Sequence, residues 1–485
     1  MSKILNPLTI PRTVVILGVP FHDVTMEETL AHIDQMIAEG TPRYLATANL
    51  DFAAQASEDV ELQRILLEAH LVLCDGTPLL WAAKWLNAPL RERVAGSDLM
   101  PRLTAHCAAQ GHRMFLLGAT DKTLKMASEK MLAEHPTLQI AGMYAPPIAK
   151  LLNFDHEDIL RRVNEAGAHV LIVCFGCPKQ EKWIYMNLSR LHVPVSIGLG
   201  ATLDFVAGNF RRAPVWMRNT GLEWLFRLMQ EPRRLFNRYL FDLMFFVVGL
   251  RRQRASRAES VMALPPPAIN SFRDSEPALI LKWTGRCDAA RITANDLPWP
   301  NAKSFSTLIL LDASEVDYLD STGLGAFLRL YREAKAAGGD FYLLQPSTSV
   351  VGLLAALKLD RLIPITDSIS NIRVRSGSPR EVISHGSADI LLSIEGDIIA
   401  KRCPELRKWI EESWANASAA KNLVIDMRQV SFVDSSGLGL LVMAHRLTAK
   451  RDGGTLKLHG ANPNVLNVIK VARMGSLFGI PEDKR

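Results

Sequence analysis

His169-Val-Leu-Ile-Val-Cys-Phe-Gly176-Cys-Pro-Lys-Gln-Glu-Lys-Trp183 is the stretch from which the rest of the chain can be ordered. The apolar run His169 to Phe175 reads as a buried strand that stops at Gly176, whose missing Cβ lets the backbone come close to a ligand. Pro178 stands where a helix would begin. Gln180 and Lys182 then fall near a helix N-terminus at the carboxyl end of a strand, where open α/β sheets bind ligands and free amides favour phosphate. An ordinary strand-to-helix turn would read the same way from this stretch alone. A second segment of similar character runs from Gly198 to Arg218, Gly-Leu-Gly-Ala-Thr-Leu-Asp-Phe-Val-Ala-Gly-Asn-Phe-Arg-Arg-Ala-Pro-Val-Trp-Met-Arg.

Around these segments, apolar runs alternate with helical patterns. Val14 to Leu17, Tyr44 to Thr47, Leu71 to Cys74, Met114 to Leu117, Val170 to Phe175 and Val193 to Ile197 read as strands. Thr25 with Glu28 forms a capping box, after which Met26, Leu30, Ile33 and Ile37 mark one helical face that ends at Gly40. The alternation predicts a Rossmann-like, mainly parallel α/β sheet with functional residues at the carboxyl ends of its strands. Thr47, Asn49, Asp75 and Gly118 occupy such ends. No Gly-x-Gly-x-x-Gly follows the first strand, which argues against a nicotinamide dehydrogenase.

The two quoted segments, with Thr47-Ala-Asn49, Asp51, Cys74-Asp75-Gly76, Arg93-Val-Ala-Gly96-Ser97-Asp98 and Phe115-Leu-Leu-Gly118-Ala119 in the same order, resemble the WecG/TagA/CpsF family of bacterial glycosyltransferases over roughly Val14 to Leu250. The resemblance implies inverting, metal-independent transfer of a sugar from a nucleotide-diphosphate donor such as a UDP-sugar, without a cofactor. It implies an acceptor that is a polyprenyl-diphosphate-linked sugar, as in cell-envelope or exopolysaccharide assembly, with N-acetylmannosamine, hexoses or uronic acids as the sugars moved.

Sugar transfer needs a base for the acceptor hydroxyl and donors for the departing diphosphate. Asp75 is the base candidate. It directly follows an apolar strand, so partial desolvation is expected to raise its pKa, and the resemblance assigns the matching aspartate that role. Capping of the helix that begins near Pro78 is the competing role. Thr47 and Asn49 can bond sugar hydroxyls, or serve turn chemistry. Arg93, Gly96, Asp98, Gly118, Gln180, Arg233, Arg234 and Arg238 are the candidates for holding diphosphate and sugar, arginine being the expected counter-charge where no metal bridges. The first 260 residues contain no Asp-x-Asp pair to anchor a divalent ion.

Composition limits the setting. At 485 residues, 48% hydrophobic and 22% charged, the chain is long enough for two to four cored domains. Met1 to Pro11 lacks a cationic stretch leading into an apolar block, so the six scattered cysteines are expected to be reduced thiols, Cys174 and Cys177 included. No window approaches the ~18 apolar residues of a spanning helix. Ten arginines, no lysine and only three acids lie between Arg211 and Arg254, interleaved with Trp216, Trp224, Phe226, Phe236 and Phe241. That pattern reads as a segment lying on an anionic bilayer surface, hence a cytoplasmic protein peripheral to the inner face of the plasma membrane. A core helix pair with a solvated basic face is the alternative. No nucleic-acid motif accompanies the charge.

Arg251 to Pro277, with Pro265-Pro266-Pro267, reads as a spacer. Beyond it the chain repeats itself: Leu311-Asp-Ala-Ser-Glu-Val-Asp-Tyr-Leu-Asp320-Ser321-Thr-Gly-Leu-Gly325 recurs as Ile425-Asp-Met-Arg-Gln-Val-Ser-Phe-Val-Asp434-Ser435-Ser-Gly-Leu-Gly439. Each copy is followed by a glycine pair, Gly338-Gly339 and Gly453-Gly454. The two copies resemble STAS domains, small α/β modules of sulfate-transporter tails and anti-sigma-factor antagonists. The expected division is 1–254 transferase with a basic appendage at about 209–254, 255–276 linker, 277–370 first STAS domain, 371–386 linker, and 387–485 second STAS domain. The resemblance makes Ser321 and Ser435 phosphorylation candidates and implies a kinase or anti-sigma-like protein partner; as plain N-caps the serines would need neither. The proline-bearing spacer leads one to expect halves that fold and act separately. Two functions follow as candidates: a membrane-surface glycosyltransferase carrying STAS domains for binding or control, or a STAS-based signalling scaffold carrying an inactive transferase domain.

Overall fold

A computed structural model describes residues 11–480 except 211–212, 215–216, 218–222, 231, 256–277, 294–298, 300–307, 338, 368–381, 386–388, 418–419 and 452. In the N-terminal half, β3 (Arg43–Ala48), β4 (Leu71–Cys74), β5 (Arg113–Gly118), β6 (Gln139–Tyr144), β7 (Val170–Cys174) and β8 (Val195–Gly198) form one sheet in the order β4-β3-β8-β7-β5-β6. Every pairing is parallel. Strand alternation sends Leu171 and Val173 into one hydrophobic core and Val170 and Ile172 into another, so helices cover both faces. The helix Met26–Glu39 carries the expected capping box and ends at Gly40 in the left-handed region.

One expected strand is not in that sheet. β1 (Thr13–Ile16) pairs antiparallel with β2 (Val19–His22) as a separate hairpin. Leu17 and Gly18, with φ of 53° and 82°, supply the two positive dihedrals of a primed two-residue turn, so the chain reverses before it can cross over. The edge strand β6 escaped the sequence reading because it is only half buried and lacks a continuous apolar run.

Each repeat folds as strand, helix and strand. β9 (Ala278–Cys287), β10 (Leu308–Leu319), β11 (Phe341–Leu344) and β12 (Ile365–Thr366) make a parallel sheet in the order β12-β11-β10-β9. β13 (Val382–His385), β14 (Asp389–Glu395), β15 (Asn422–Gln429) and β16 (Thr455–His459) make the second, with β13 antiparallel and lying in the stretch read as a spacer. The repeated motif opens the helices Ser321–Ala336 and Ser435–Thr448.

The two halves do not lie apart in space. Val60 of the N-terminal half belongs to the core of the second repeat, while Val15 and Leu67 belong to that of the first. Arg361 donates to Ala56 O, Ser57 O and Gln63 Oε1, and Arg64 pairs with Asp397 at 3.0 Å beneath the Phe432 ring. A proline-bearing spacer governs how far two modules can travel, not whether their faces are complementary; here apolar side chains and paired charges match across the junction.

Candidate active site

The carboxyl ends of β3, β4, β7 and β8 converge. Thr47, buried at the end of β3, donates its hydroxyl to Gly198 O at 3.1 Å. Asp75, just beyond β4, donates its amide to Ala48 O and accepts the Gly96 amide on Oδ2 at 3.1 Å. Gly96 is the first residue of the helix Gly96–Gln110, whose N-terminal dipole suits an anion there. A Cβ on Gly96 would stand 3.2 Å from Thr47 Oγ1, so threonine, aspartate and glycine form one tight cluster. Asp75 does not cap the helix Thr77–Trp85: Gly76 occupies that cap without a side-chain bond. Asn49 does serve turn chemistry, since its Oδ1 accepts the Phe52 amide at 3.1 Å and caps the helix Leu50–Glu58.

Gln180 joins the two quoted segments. Its Oε1 accepts the amides of Gly176 at 3.1 Å and Gly200 at 3.0 Å, and its Nε2 donates to Glu181 Oε1 at 2.7 Å. A Cβ on Gly198 would lie 2.8 Å from both side chains, which accounts for glycine there. Gly118, at φ +103°, fits against Cys174 O where a Cβ would come within 2.6 Å. Arg93 and Asp98 pair with each other at 2.7 Å and line a shallow cavity of about 300 Å³ with Glu27, Glu92 and Arg102. Arg233, Arg234 and Arg238 fall in the helix Pro232–Ala255, but their side chains lie outside the described residues.

Lys182 is the main departure. Instead of facing a ligand, its ammonium is buried between Asp59 at 2.6 Å and Glu61 at 2.8 Å. Burial by itself would lower the lysine; Glu61 and then Asp59 outweigh it, and the ammonium is held charged well above its ordinary range. Burial pushes Glu181 up to about 7, with the Gln180 bond opposing it. Sequence reasoning missed Asp59, Glu61 and Glu181. The first two lie some 120 residues upstream of Lys182 without a motif, and only the crossing of the helices Val60–Glu68 and Lys179–Asn187 brings them to it.

The repeat serines are not N-caps. Asp320 and Asp434 cap the two helices, and the serines follow inside the first turn. Ser321 Oγ accepts Gln253 Nε2 at 3.2 Å. Ser435 donates its amide to Glu61 Oε1 at 2.5 Å and its hydroxyl to Glu61 Oε2 at 2.7 Å. Both serines are buried against the N-terminal half, 1% and 7% exposed.

Asp34 with His106 and His112 is the one grouping among the described residues that has metal-ligand spacing. Its Oδ1 takes both imidazoles, at 2.8 and 3.0 Å, and His112 lies just before β5, at the amino ends of the strands, the end opposite Asp75.

Residues 14–260 match the glycosyl transferase WecG/TagA/CpsF family, half of the chain, with the Asp75, Gln180 and Gly198 geometry inside the matched span. The chain belongs to that family. It is a glycosyltransferase, and residues 269–372 and 382–479 match STAS domains, the second described as Mlab, STAS domain. An N-acetylglucosaminyldiphosphoundecaprenol N-acetyl-beta-D-mannosaminyltransferase of Bacillus subtilis (strain 168) is 31% identical over 203 residues, 42% of this chain and 76% of that protein. The enzyme of the same name from Staphylococcus aureus (strain MW2) is 24% identical over 246 residues, 50% of this chain and 95% of its own. An anti-sigma factor antagonist from Mycobacterium paratuberculosis aligns over 21% of this chain and 85% of its own at 20% identity, with a TM-score of 0.20.

Among the described residues no helix is long and apolar enough to cross a membrane. The helix Pro232–Ala255 nonetheless exposes Phe236, Leu240, Phe241, Leu243 and Met244, each more than half accessible. Trp216 and the side chain of Trp224 lie outside the described residues.

Proposed function

We propose that this enzyme transfers a sugar from a UDP-sugar to a polyprenyl-diphosphate-linked sugar at the inner membrane surface, by inversion and without a bridging metal. The observation that carries the reading is Asp75, held by the Gly96 amide beside Thr47 at the mouth of the glycine loops that Gln180 ties together. In this reading Asp75 Oδ takes the proton of the acceptor hydroxyl as that oxygen attacks the anomeric carbon and the diphosphate departs. The Gly176 and Gly200 amides are taken by Gln180, but open space beside both glycines leaves room for close approach of phosphate to these loops. The names of the relatives support an N-acetylmannosamine-type donor and an undecaprenyl acceptor.

An apolar groove of about 370 Å³ supports the lipid side of the reading. It runs between the helix Thr77–Trp85, which opens two residues after Asp75, and the helix Pro232–Ala255, and is lined by Trp81, Trp85, Phe246, Val247, Leu250 and Arg251. The exposed apolar residues of the longer helix, with Arg251, Arg252 and Arg254 at its end, suit the surface of an anionic bilayer. The STAS pair supplies protein binding or control, and a kinase would reach Ser321 or Ser435 only after they leave the enzyme.

Asp75→Asn tests the assignment. It keeps shape while removing the base, so turnover is expected to fall ~10²-fold or more with donor binding, read by thermal shift with a UDP-sugar, nearly intact. Turnover within a few-fold of the parent chain would refute Asp75 as base.

A further inference from the structure

Glu61 sits where two networks meet. On the enzyme side its Oε2 holds Lys182 Nζ at 2.8 Å, and Lys182 stands two residues after Gln180 in the helix Lys179–Asn187. Gln180 in turn fixes the Gly176 and Gly200 loops. On the STAS side the same carboxylate takes the amide and hydroxyl of Ser435. Glu61 is 1% exposed, so neither network competes with bulk water.

A carboxylate suits the first turn of the helix Ser435–Thr448, because amides there have no partner within the helix and the dipole favours negative charge. The enzyme thus supplies the anion for that seat. The first repeat presents the equivalent turn to another part of the enzyme, where Gln253 reaches Ser321 and Thr13 O lies so close to Gly325 that a Cβ would stand 2.0 Å from it. Neither seat is left open for a separate protein. A partner using these faces must first displace the enzyme.

We propose that the transferase domain is itself the binding partner of the STAS pair, and that seating of Ser435 on Glu61 keeps the sugar-transfer site in working geometry through Lys182. This goes beyond the proposed reaction and its binding readout involves no sugar, so failure of one is distinguishable from failure of the other.

The test uses the full chain with a protease site placed within residues 256–277 and cut after purification. The two pieces are expected to co-elute in gel filtration at physiological salt. Ser435→Asp sets another carboxylate against Glu61 in a buried seat, so the cut pieces, still held by the first repeat, should come apart at lower urea than the unsubstituted pieces, and transfer by the uncut chain should fall about fivefold or more, the lower end of typical coupling between sites. Ser435→Ala loses one bond and adds no charge; its pieces should stay together at that urea. Combining Ser435→Asp with Glu61→Gln should restore both urea resistance and transfer, because the glutamine amide donates to the new carboxylate while Asp59 still holds Lys182. Separate elution of the unsubstituted pieces, transfer within twofold of the parent chain after Ser435→Asp, or no recovery in the double variant would each overturn the proposal.

Discussion

The two STAS repeats share a motif and a fold, yet they grip the enzyme by different chemistry. The first relies on close approach: Gly325 lets the helix Ser321–Ala336 press against the Thr13 carbonyl, and Gln253 adds a neutral hydrogen bond. The second relies on charge: Glu61 joins Ser435 to Lys182, and Gly439 meets only Leu152 Cδ2 at 3.7 Å, an ordinary contact. Duplicated motifs therefore predict a duplicated fold but not a duplicated interface. What the motif touches is decided by the surface opposite.

Alanine at the two final glycines should break the comparison most sharply. Gly325→Ala forces a methyl into a backbone carbonyl that cannot swing aside, so docking of the first repeat should weaken by about 1–3 kcal/mol or more. Gly439→Ala should change it by a few tenths of a kcal/mol at most and add helix propensity. Unfolding by denaturant, followed with fluorescence and by elution of the cut chain, measures both. Equal losses at the two positions would mean that the repeats dock alike.

The charged seat should also respond to pH. Burial, followed by the nearby Glu61 charge, pushes Asp434 from its ordinary 3.8 up to about 7, and burial does the same to Glu181. Each carboxyl binds its proton more tightly folded than unfolded, so the folded chain holds more protons between about pH 4 and 7. That contribution is fully present below the unfolded values and is lost as pH rises through about 7, with a slope of at most ~1.4 kcal/mol per pH unit for each group. Tm measured from pH 5 to 8 should fall across this window. The fall should be shallower in Glu61→Gln, where the neighbouring charge is absent, and in Glu181→Gln; an unchanged slope in both would break the assignment.

The smallest effect is expected at Ser321. Ser321→Asp meets Gln253 Nε2, a donor already aimed at this position, so co-elution of the cut chain should survive a charge that the second repeat cannot bear. Separation of the pieces by Ser321→Asp would show that burial alone, not the sign of the facing group, decides.

Much of the enzyme's frame was legible in the residues. β4 and β7 fall within a residue of the apolar runs, and the Thr25–Glu28 box begins its helix where the pattern places it. The cluster of Thr47, Asp75 and Gly96 and the tie made by Gln180 follow from residues that end strands or open helices, which local pattern can reveal. The hairpin was not legible because Leu17, a poor left-handed residue, occupies half of its turn. Glu61 carries no local signature and Asp59 only that of an N-cap; their pairing with Lys182 comes from two helices crossing and a third domain closing over them. The interface escaped for the same reason, since a spacer's composition reports reach and is silent about complementarity.

Gln253 gives the helix Pro232–Ala255 a fixed root. Fully buried, it donates to Val15 O and accepts the Leu17 amide, so the last turns of the helix Pro232–Ala255 are clasped to the hairpin that also bears the first repeat. Phe236 lies seventeen residues earlier, about 25 Å along the axis at 1.5 Å per residue. A rod held at one end and greasy toward the other behaves as an outrigger. On the bilayer surface proposed above, its pitch would set the height of Asp75 over the headgroups, and the clamp at its root is shared by the transferase half and the STAS pair.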